Sequence, residues 1–331
     1  MESDFYIDEP CVAFFFCGEV GWFLQRTQGY YRYLKLNEYQ DRKFILMANI
    51  QFHVFVNDFV AYTIDLPQEF YDLGLETDGY EAPYPDSPPG SLTPPDVYAA
   101  LIEYFRNFYN VEKAIEIWTP RGCETKWINF QPQTFTRYRT DTVIESERPI
   151  ITVFPRGRSR APQRNVPEFV WKETVDRLRQ DFTVVLCGTP SGASLVDYDA
   201  DNVINTINYV GDDKMDKTIE YICNSVCTIS SQSGPTHISL FCECPSYIIG
   251  HERERHTENE NRFSTPTSFR TVPDYRAIDA DTILNDVTTF IEKLKKAGWS
   301  TPVDMYKREI DSVIESDIEE MNELLDIKES E

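Results

Sequence analysis

Four arginines stand close together after one apolar run of an otherwise strongly acidic chain. They follow Ile150–Phe154 within the segment PRGRSRAPQR and are Arg156, Arg158, Arg160 and Arg164. A guanidinium group is planar and can bind a phosphate through two hydrogen bonds at once. The cluster therefore predicts an anion-binding loop, with a solvated charged loop as the alternative.

Two further sets of small and polar residues follow apolar runs later in the chain. Gly188 and Thr189 follow the run Thr183–Cys187. Ser233, Gly234 and His237 follow the run Val226–Ser230. Glycine permits close backbone approach, and a helix beginning at Ser-Gly-Pro directs N–H groups and a partial positive charge at an anion. With the arginines, these residues predict a phosphate site that fits two phosphates better than one. For Ser-Gly-Pro alone, an ordinary turn and N-cap is the alternative.

A glycine-flanked glutamate follows the first apolar run of the chain. Val12–Phe16 has the composition of a buried strand, and Gly18, Glu19 and Gly21 come just after it, before a helix-like stretch. A simple apolar core needs no acid there. At the carboxyl end of a strand the chain emerges and can hold a functional group over a crevice. Glu19 is therefore a candidate site residue, with a surface or helix-capping acid as the alternative.

The positions of these residues depend on an alternation of predicted strands and helices. In the first half we predict strands Val12–Phe16, Phe44–Ile50 and Phe59–Ile64, and helices Trp22–Leu36 and Val97–Tyr109. In the second half we predict strands Ile150–Phe154, Thr183–Cys187, Val226–Ser230 and Tyr247–Gly250, and helices Glu168–Gln180 and Asp216–Cys223, with another helix opening after Ser233. Such alternation predicts an α/β protein with doubly wound parallel sheets, whose ligands lie beyond the carboxyl ends of the strands.

The same pattern predicts how the chain is divided. We expect an N-terminal domain over 1–147, a second domain over 148–300 and an acidic amphipathic helix over 301–331. The boundary lies in the charged connection Glu145–Pro149. The proline-rich segment 81–96 predicts a long loop at the rim of a site, because proline removes backbone donors and fixes φ. Segment 251–262 has no hydrophobic periodicity and predicts a cleft-side or surface loop.

Composition excludes several classes of protein. The chain has 331 residues, 41% of them hydrophobic and 14% aromatic, which is typical of a globular protein and long enough for two cores. The net charge of −23 argues against nucleic acid as the main partner, because phosphate neutralisation needs surplus Lys and Arg. No run of 18 apolar residues is present, so no transmembrane segment is expected, and the acidic N-terminus does not resemble a signal peptide.

The cysteines and paired acids do not predict a metal site. None of the eight cysteines forms a Cys-x-x-Cys pair, and the pattern favours reduced, buried thiols in a cytoplasmic protein. Zinc bound by Cys242 and Cys244 with His237 or His251 is the alternative, but its spacing fits no structural zinc class. The acids of the segment 197–201 are better explained as a solvated loop. We therefore expect no metal and no cofactor.

The stretch SSQSGPTHISLFCECPSYIIG resembles glycosyltransferase family 9, which includes the lipopolysaccharide heptosyltransferases. Members carry Asp-Ser-Gly-Pro-x-His, of which this chain keeps the part from Ser233 to His237 but has Gln232 in place of the Asp. The segment Ile150–Trp171 and the run VVLCGTP also resemble that family's nucleotide-sugar domain. The resemblance covers about residues 150–265, and in the first half it includes only the first strand, loop and helix.

The resemblance implies a GT-B fold, in which two Rossmann-like domains face each other across a cleft. The N-terminal domain would hold the acceptor and the C-terminal domain the nucleotide sugar. The implied reaction is the inverting transfer of a hexosyl or heptosyl group from a nucleotide-diphosphate sugar to a hydroxyl of a glycan or glycoconjugate. Glu19 takes the place of the family's general base, usually Asp. Fixed positive charge and N–H dipoles would stabilise the leaving nucleoside diphosphate without a metal.

These roles divide the candidate residues into two groups. The donor and phosphate group comprises Arg156, Arg158, Arg164, Gly188, Thr189, Ser233, Gly234 and His237. The acceptor-side group comprises Gly18, Gly21, Trp22 and His53. For His53 a structural histidine is the favoured alternative, and the aromatic residues after Trp22 are mostly expected in the core. Two other functions stay open: a catalytically inactive nucleotide- or glycan-binding protein of the same fold, and a nucleotide-sugar epimerase.

Overall fold

A computed structural model of the chain describes residues 11–73, 95–108, 115–117, 131–159 and 161–312. Most of the predicted loop 81–96, Arg160 and the tail from residue 313 lie outside these residues. Among the helices that it describes, none is long and apolar enough to cross a membrane.

The first sheet is parallel, with the strand order β3-β2-β1-β4. Its strands are β1 (Cys11–Phe16), β2 (Lys43–Ala48), β3 (Tyr62–Ile64) and β4 (Ile115–Ile117). All six residues of β1 are buried, because a parallel strand covered on both faces needs a continuous apolar run. A helical stretch follows β1 and consists of α1 (Val20–Trp22), a π-helical turn (Phe23–Thr27) and α2 (Gln28–Asn37). A 3₁₀ helix (Ile50–Phe55), α3 (Gln68–Tyr71) and α4 (Pro95–Phe108) complete this half.

The second sheet is also parallel, with the order β10-β9-β8-β5-β6-β7. Its strands are β5 (Ile150–Phe154), β6 (Thr183–Leu186), β7 (Val203–Asn205), β8 (Ser225–Ser231), β9 (Ser246–Gly250) and β10 (Thr267–Thr271). Its helices are α5 (Glu168–Leu178), α6 (Lys214–Cys223), α7 (Gly234–Phe241) and α8 (Ala280–Lys296), with 3₁₀ turns Pro162–Arg164 and Tyr275–Ala277 and a π-helical turn Arg255–Asn259.

The strand orders fix where a ligand can bind. In the second sheet the chain moves outward from β5 to β6 and β7, then returns to place β8 on the other side of β5. In the first sheet β4 likewise lies on the side of β1 opposite to β2. Open α/β sheets bind ligands at such switch points, beyond the carboxyl ends of the central strands. The loops after β1, β5 and β8 are therefore the ones that can form a site.

The predicted elements of the second half agree closely with the structure, and those of the first half less so. The strand predicted over Phe44–Ile50 ends at Ala48, because Asn49 begins a 3₁₀ helix. Of Phe59–Ile64 only Tyr62–Ile64 is a strand. Strands β4, β7 and β10 and helix α8 were not predicted. The described start of the tail, residues 302–312, is helical.

Most aromatic residues of the helical stretch after β1 belong to the core, as expected. Tyr31 is buried and stacks on Phe14 with ring centroids 3.8 Å apart. Phe23 is fully buried against Phe52, at 5.1 Å. Trp22 differs, because it is only partly buried and borders the cavity described below.

The two sheets are separate, but the elements around them pack on one another. Tyr138, in the segment between the sheets, stacks on Phe241 of α7 at 5.3 Å and lies 4.9 Å from the ring of Phe55. Arg139 pairs with Glu309 of the helical residues 302–312. The domain boundary at 147/148 stays a prediction.

Candidate functional site

A cavity of about 450 Å³ lies between the carboxyl ends of the two sheets. That volume suits a small-molecule ligand. Basic side chains dominate its charged lining: Arg156, Arg158, Arg164, Lys214 and Arg255. Among the described residues, the only carboxylate in the lining is that of Glu19. In a chain of net charge −23, this concentration of cations favours an anionic ligand.

Glu19 and Arg158 meet across this cavity. Oε1 of Glu19 accepts a hydrogen bond from Nη2 of Arg158 at 2.7 Å, and both side chains are about one-fifth exposed (19% and 18%). Glu19 has an extended backbone at the start of α1, and its side chain does not cap that helix. Its carboxylate is therefore directed at the second sheet. Two residues predicted on opposite sides of one cleft are in direct contact.

Arg156 and Arg164 border the cavity but are held by the protein itself. Arg156 is 5% exposed and donates to Oδ1 of Asn165 and, at 3.2 Å, to the carbonyl of Ala161. Burial and the neighbouring Arg164 and Arg158 lower the pKa of Arg156 to about 10. Arg164 donates to the carbonyl of Gln232, next to the start of α7. Arg158, by contrast, pairs with Glu19 on the other side of the cavity.

Gly157 allows the arginine loop to lie against the loop after β6, and Gly188 allows close packing within that second loop. The N–H of Gly157 donates to the carbonyl of Gly192 at 3.0 Å. A Cβ atom on Gly157 would lie 2.5 Å from the backbone nitrogen of Ser194. Gly188 has a φ of +150°, and its Cβ would lie 2.9 Å from that of Ala193. Gly188, predicted as a ligand contact, packs closely within its own loop and, together with Thr189, also lines the cavity.

We expect Gly157→Ala to lower the stability of the protein by about 1–3 kcal/mol. The added Cβ would overlap backbone atoms of the facing loop, which cannot move aside as a flexible side chain can. Thermal unfolding measures this effect. Ser191→Ala, an exposed substitution in the facing loop that adds no volume, is the control and should leave the melting temperature unchanged. An unchanged melting temperature for Gly157→Ala would show that the two loops are not packed this closely.

The start of α7 contacts the first domain directly. Oγ of Ser233 donates to the carbonyl of Ser231 at 2.9 Å, so it does not cap the helix. A Cβ on Gly234 would lie 2.7 Å from Cγ1 of Val20 and 3.4 Å from the nitrogen of Gly21. The predicted glycines Gly21 and Gly234 thus let the starts of α1 and α7 approach each other. Gly18 is buried just behind them.

His237 also borders the cavity, but its ring is buried. It is 4% exposed, and burial lowers its pKa to about 3. A neutral imidazole cannot supply positive charge to a phosphate but still has an N–H donor, so the donor-side role of His237 stays a prediction. Segment 251–262, predicted as a cleft-side or surface loop, contains a π-helical turn that buries His256 and Glu260 beside His237.

His53 supports strand ends instead of facing the acceptor side. Its Nε2 lies 3.1 Å from the carbonyl of Ala48 and 3.3 Å from that of Ile64, at the ends of β2 and β3. Burial lowers its pKa, and it is not part of the cavity lining. The structural alternative stated for this histidine fits its surroundings.

Sequence reasoning missed several residues of the cavity. Gln51 connects the two halves: its Oε1 accepts from the N–H of Met215 at 2.8 Å, and its Nε2 donates to the carbonyl of Asp212 at 3.2 Å. Lys214 lines the cavity, and burial lowers its pKa. The position of Lys214 at the start of an amphipathic helix after β7 was the only available signal, and β7 was not predicted.

The described cysteines are buried, as small apolar residues are. Burial raises the pKa of the Cys187 thiol to about 11 and that of Cys227 to about 12, which keeps both protonated. In the described ranges Cys242 and Cys244 belong to no cluster of three metal-ligating side chains, so the zinc alternative is not supported. Cys123 lies outside the described residues.

Comparison with known proteins identifies the fold. No protein-family model matches the sequence, and no curated protein matches it. Among solved structures, ADP-heptose lipopolysaccharide heptosyltransferase II of E. coli superimposes with a TM-score of 0.54 at 13% identity, covering 86% of this chain and 99% of that one. A family 9 glycosyltransferase from Veillonella parvula gives a TM-score of 0.54 at 10% identity, covering 88% and 100%.

A third solved structure, the iron-containing dodecameric glycosyltransferase TibC from enterotoxigenic E. coli, gives a TM-score of 0.51 at 10% identity and covers 87% of this chain and 78% of that one. At these identities the likeness establishes the fold. The chain has a GT-B, heptosyltransferase-like fold, and the fold predicted from the sequence is confirmed.

Proposed function

We propose that this protein is an inverting glycosyltransferase that moves a sugar from a nucleotide-diphosphate sugar to a hydroxyl of a glycan or glycoconjugate. One observation carries the proposal. A carboxylate at the switch point of one sheet meets a guanidinium at the switch point of the other, in a cavity whose other charged side chains, among the described residues, are basic. The known activity of the solved proteins that share the fold, two of them named as heptosyltransferase and family 9 glycosyltransferase, supports the same assignment.

The geometry suggests an order of events. The diphosphate of the donor binds Arg158. The guanidinium then pairs with phosphate oxygens in place of Glu19, and the Glu19 carboxylate is left beside the sugar. Glu19 then takes the proton of the acceptor hydroxyl as its oxygen attacks the anomeric carbon. The new carbon–oxygen bond forms as the bond to the phosphate oxygen breaks, and the nucleoside diphosphate leaves with that electron pair. Attack from the side opposite the leaving group inverts the configuration.

Arg158 and the neighbouring basic groups supply the charge that the leaving diphosphate needs. We therefore propose that no metal ion bridges the diphosphate. The initial rate measured in EDTA should lie within about twofold of the rate in Mg²⁺, because guanidinium groups are always charged. A solvent-exposed metal on the diphosphate would exchange during such an assay. A large loss in EDTA that Mg²⁺ restores would contradict the proposal.

A panel of nucleotide sugars with and without hydroxyl acceptors tests the reaction. Mass spectrometry should detect nucleoside diphosphate and a glycosylated acceptor, both dependent on the acceptor. Isomerised donor formed without acceptor would instead show an epimerase. Binding of the nucleotide sugar with no product under any acceptor would show an inactive binding protein of the same fold.

A further inference from the structure

We propose that His237, His256 and Glu260 bind a divalent transition-metal ion at the edge of the cleft. The three side chains come from α7 and from the π-helical turn Arg255–Asn259 with the residue after it. Their ligand atoms all lie within 4.8 Å of one another. Two imidazoles and one carboxylate are a donor set that suits zinc, iron or cobalt in the divalent state.

The spacing of two of these ligand atoms matches a metal site. Nε2 of His237 lies 3.4 Å from Oε2 of Glu260, which is too long for a good hydrogen bond. Two ligands of one tetrahedral ion, each bonded at about 2.1 Å, lie about 3.4 Å apart. Oε2 of Glu260 has no hydrogen-bond partner among the described residues. This pair therefore has the separation that a shared ion requires.

His256 is the independent observation that points to a ligand. It is 1% exposed, and within the described part of the chain neither of its ring nitrogens has a hydrogen-bond partner. Buried polar groups are seldom left unpaired, because doing so costs free energy. Its ring centroid lies 5.1 Å from that of His237. Rotation of the ring toward the other two ligands would break no hydrogen bond and would pair one nitrogen.

The surrounding groups fit the second shell of a metal site. Oε1 of Glu260 accepts from Nε of Arg255 at 2.9 Å, which fixes the carboxylate with Oε2 toward the histidines. Nδ1 of His237 lies 3.1 Å from the side-chain amide of Gln25, whose Oε1 has no partner among the described residues. A half-turn of that amide would let Oε1 accept the Nδ1–H of a metal-bound imidazole, the usual outer-shell arrangement, but would break the hydrogen bond that Nε2 now donates to the carbonyl of Glu260 at 3.0 Å. Burial also keeps both histidines neutral, as metal ligands must be.

Three guanidinium groups oppose a cation here. Arg26, Arg255 and Arg262 lie close enough to lower the pKa of His237, and Arg26 approaches Oε1 of Glu260 at 3.6 Å. Because these groups are positive, the Glu260 carboxylate is the main source of the negative charge that compensates the cation. Loss of this carboxylate should therefore weaken metal binding as much as loss of a histidine does. Arg158, to which the diphosphate is assigned, is not among the ligands. The inferred ion would join α7 to the π-helical turn and takes no part in the proposed transfer.

The test is a Co²⁺ titration of the full chain, made without a polyhistidine tag and treated with chelator. We expect visible absorption of tetrahedral or five-coordinate Co²⁺ that saturates at one ion per chain and disappears when Zn²⁺ is added. His256→Ala and the isosteric Glu260→Gln should each weaken binding by about tenfold or more. His251→Ala, an exposed histidine outside the cluster, is the control and should bind as the unaltered protein does.

The inference would be overturned if the unaltered protein gave no Co²⁺ spectrum. It would also be overturned if His256→Ala and Glu260→Gln bound Co²⁺ as tightly as the unaltered protein does. Circular dichroism and thermal unfolding verify that both variants are folded. If either is not, the unaltered protein still decides the question through its spectrum and through the metal content measured on the protein as purified. This test measures metal binding and not turnover, so its result does not depend on whether the proposed reaction is correct.

Discussion

Turnover should fall by at least about 100-fold when Glu19 is replaced by Gln, because a positioned general base contributes about 10²–10⁴-fold to a rate. The amide keeps the size of the side chain and its place at the start of α1, so the fold should not change. Nucleoside diphosphate should bind the variant at least as tightly as the unaltered protein. In the structure Arg158 is paired with the Glu19 carboxylate at 2.7 Å, and an amide competes with phosphate for that guanidinium less strongly.

Steady-state kinetics and calorimetry on the same preparation separate these two effects. Glu38→Gln, an exposed glutamate just after α2, is the matched control and should leave both unchanged. Unaltered turnover in Glu19→Gln would remove the carboxylate from the mechanism. Loss of nucleotide binding together with turnover would indicate that Glu19 holds the site together instead of acting on the acceptor.

Replacing Arg158 by Ala should weaken nucleoside diphosphate binding by roughly 10- to 100-fold, since a hydrogen bond to a charged group contributes about 1.5–3 kcal/mol. The free nucleoside lacks the phosphates, so its affinity should hardly change. The variant also removes the guanidinium that pairs with the Glu19 carboxylate, so repulsion between that carboxylate and the diphosphate adds to the lost attraction. Arg158→Lys should restore part of the affinity, because Lys keeps the charge but not the planar fork.

Calorimetry with both ligands checks this prediction. Arg276→Ala removes an exposed arginine that is paired with Asp274 and does not line the cavity, and it serves as the control. Equal weakening of nucleoside and nucleoside diphosphate would show that Arg158 acts through the structure of its loop. An unchanged affinity for both would show that the arginine loop is solvated surface.

The sequence predicted where the site lies because strand ends are local features. Buried parallel strands such as Ile150–Phe154 are continuous apolar runs, and the polar residues that follow them are visible in one dimension. The alternation of strands and helices then predicts that these ends meet. The contact between Glu19 and Arg158 could not be predicted, because it depends on how two domains pack across 139 positions of sequence.

Other features were missed for equally physical reasons. The residues of β7, Val203–Asn205, are too few and too exposed to produce a hydrophobic period. The side chains of Arg156 and Arg158 have different partners, Asn165 and Glu19, and Gly157 between them packs on backbone. The charged segment 251–262 gives no periodic signal, yet its π-helical turn buries His256. Burial of a polar residue depends on long-range packing that composition does not report.

The most direct test of the central claim is thermal unfolding of the unaltered protein and Arg158→Ala with a panel of nucleosides, nucleoside diphosphates and nucleotide sugars. A ligand that binds only the native state stabilises it by about 2.7 kcal/mol at 100 times its dissociation constant. We predict that at least one nucleoside diphosphate and its sugar conjugate raise the melting temperature of the unaltered protein by several degrees, about 2 °C or more per kcal/mol. The same ligands should raise it much less in Arg158→Ala. If no nucleotide in the panel changes the melting temperature, the cleft is not a nucleotide-sugar site and the account is contradicted.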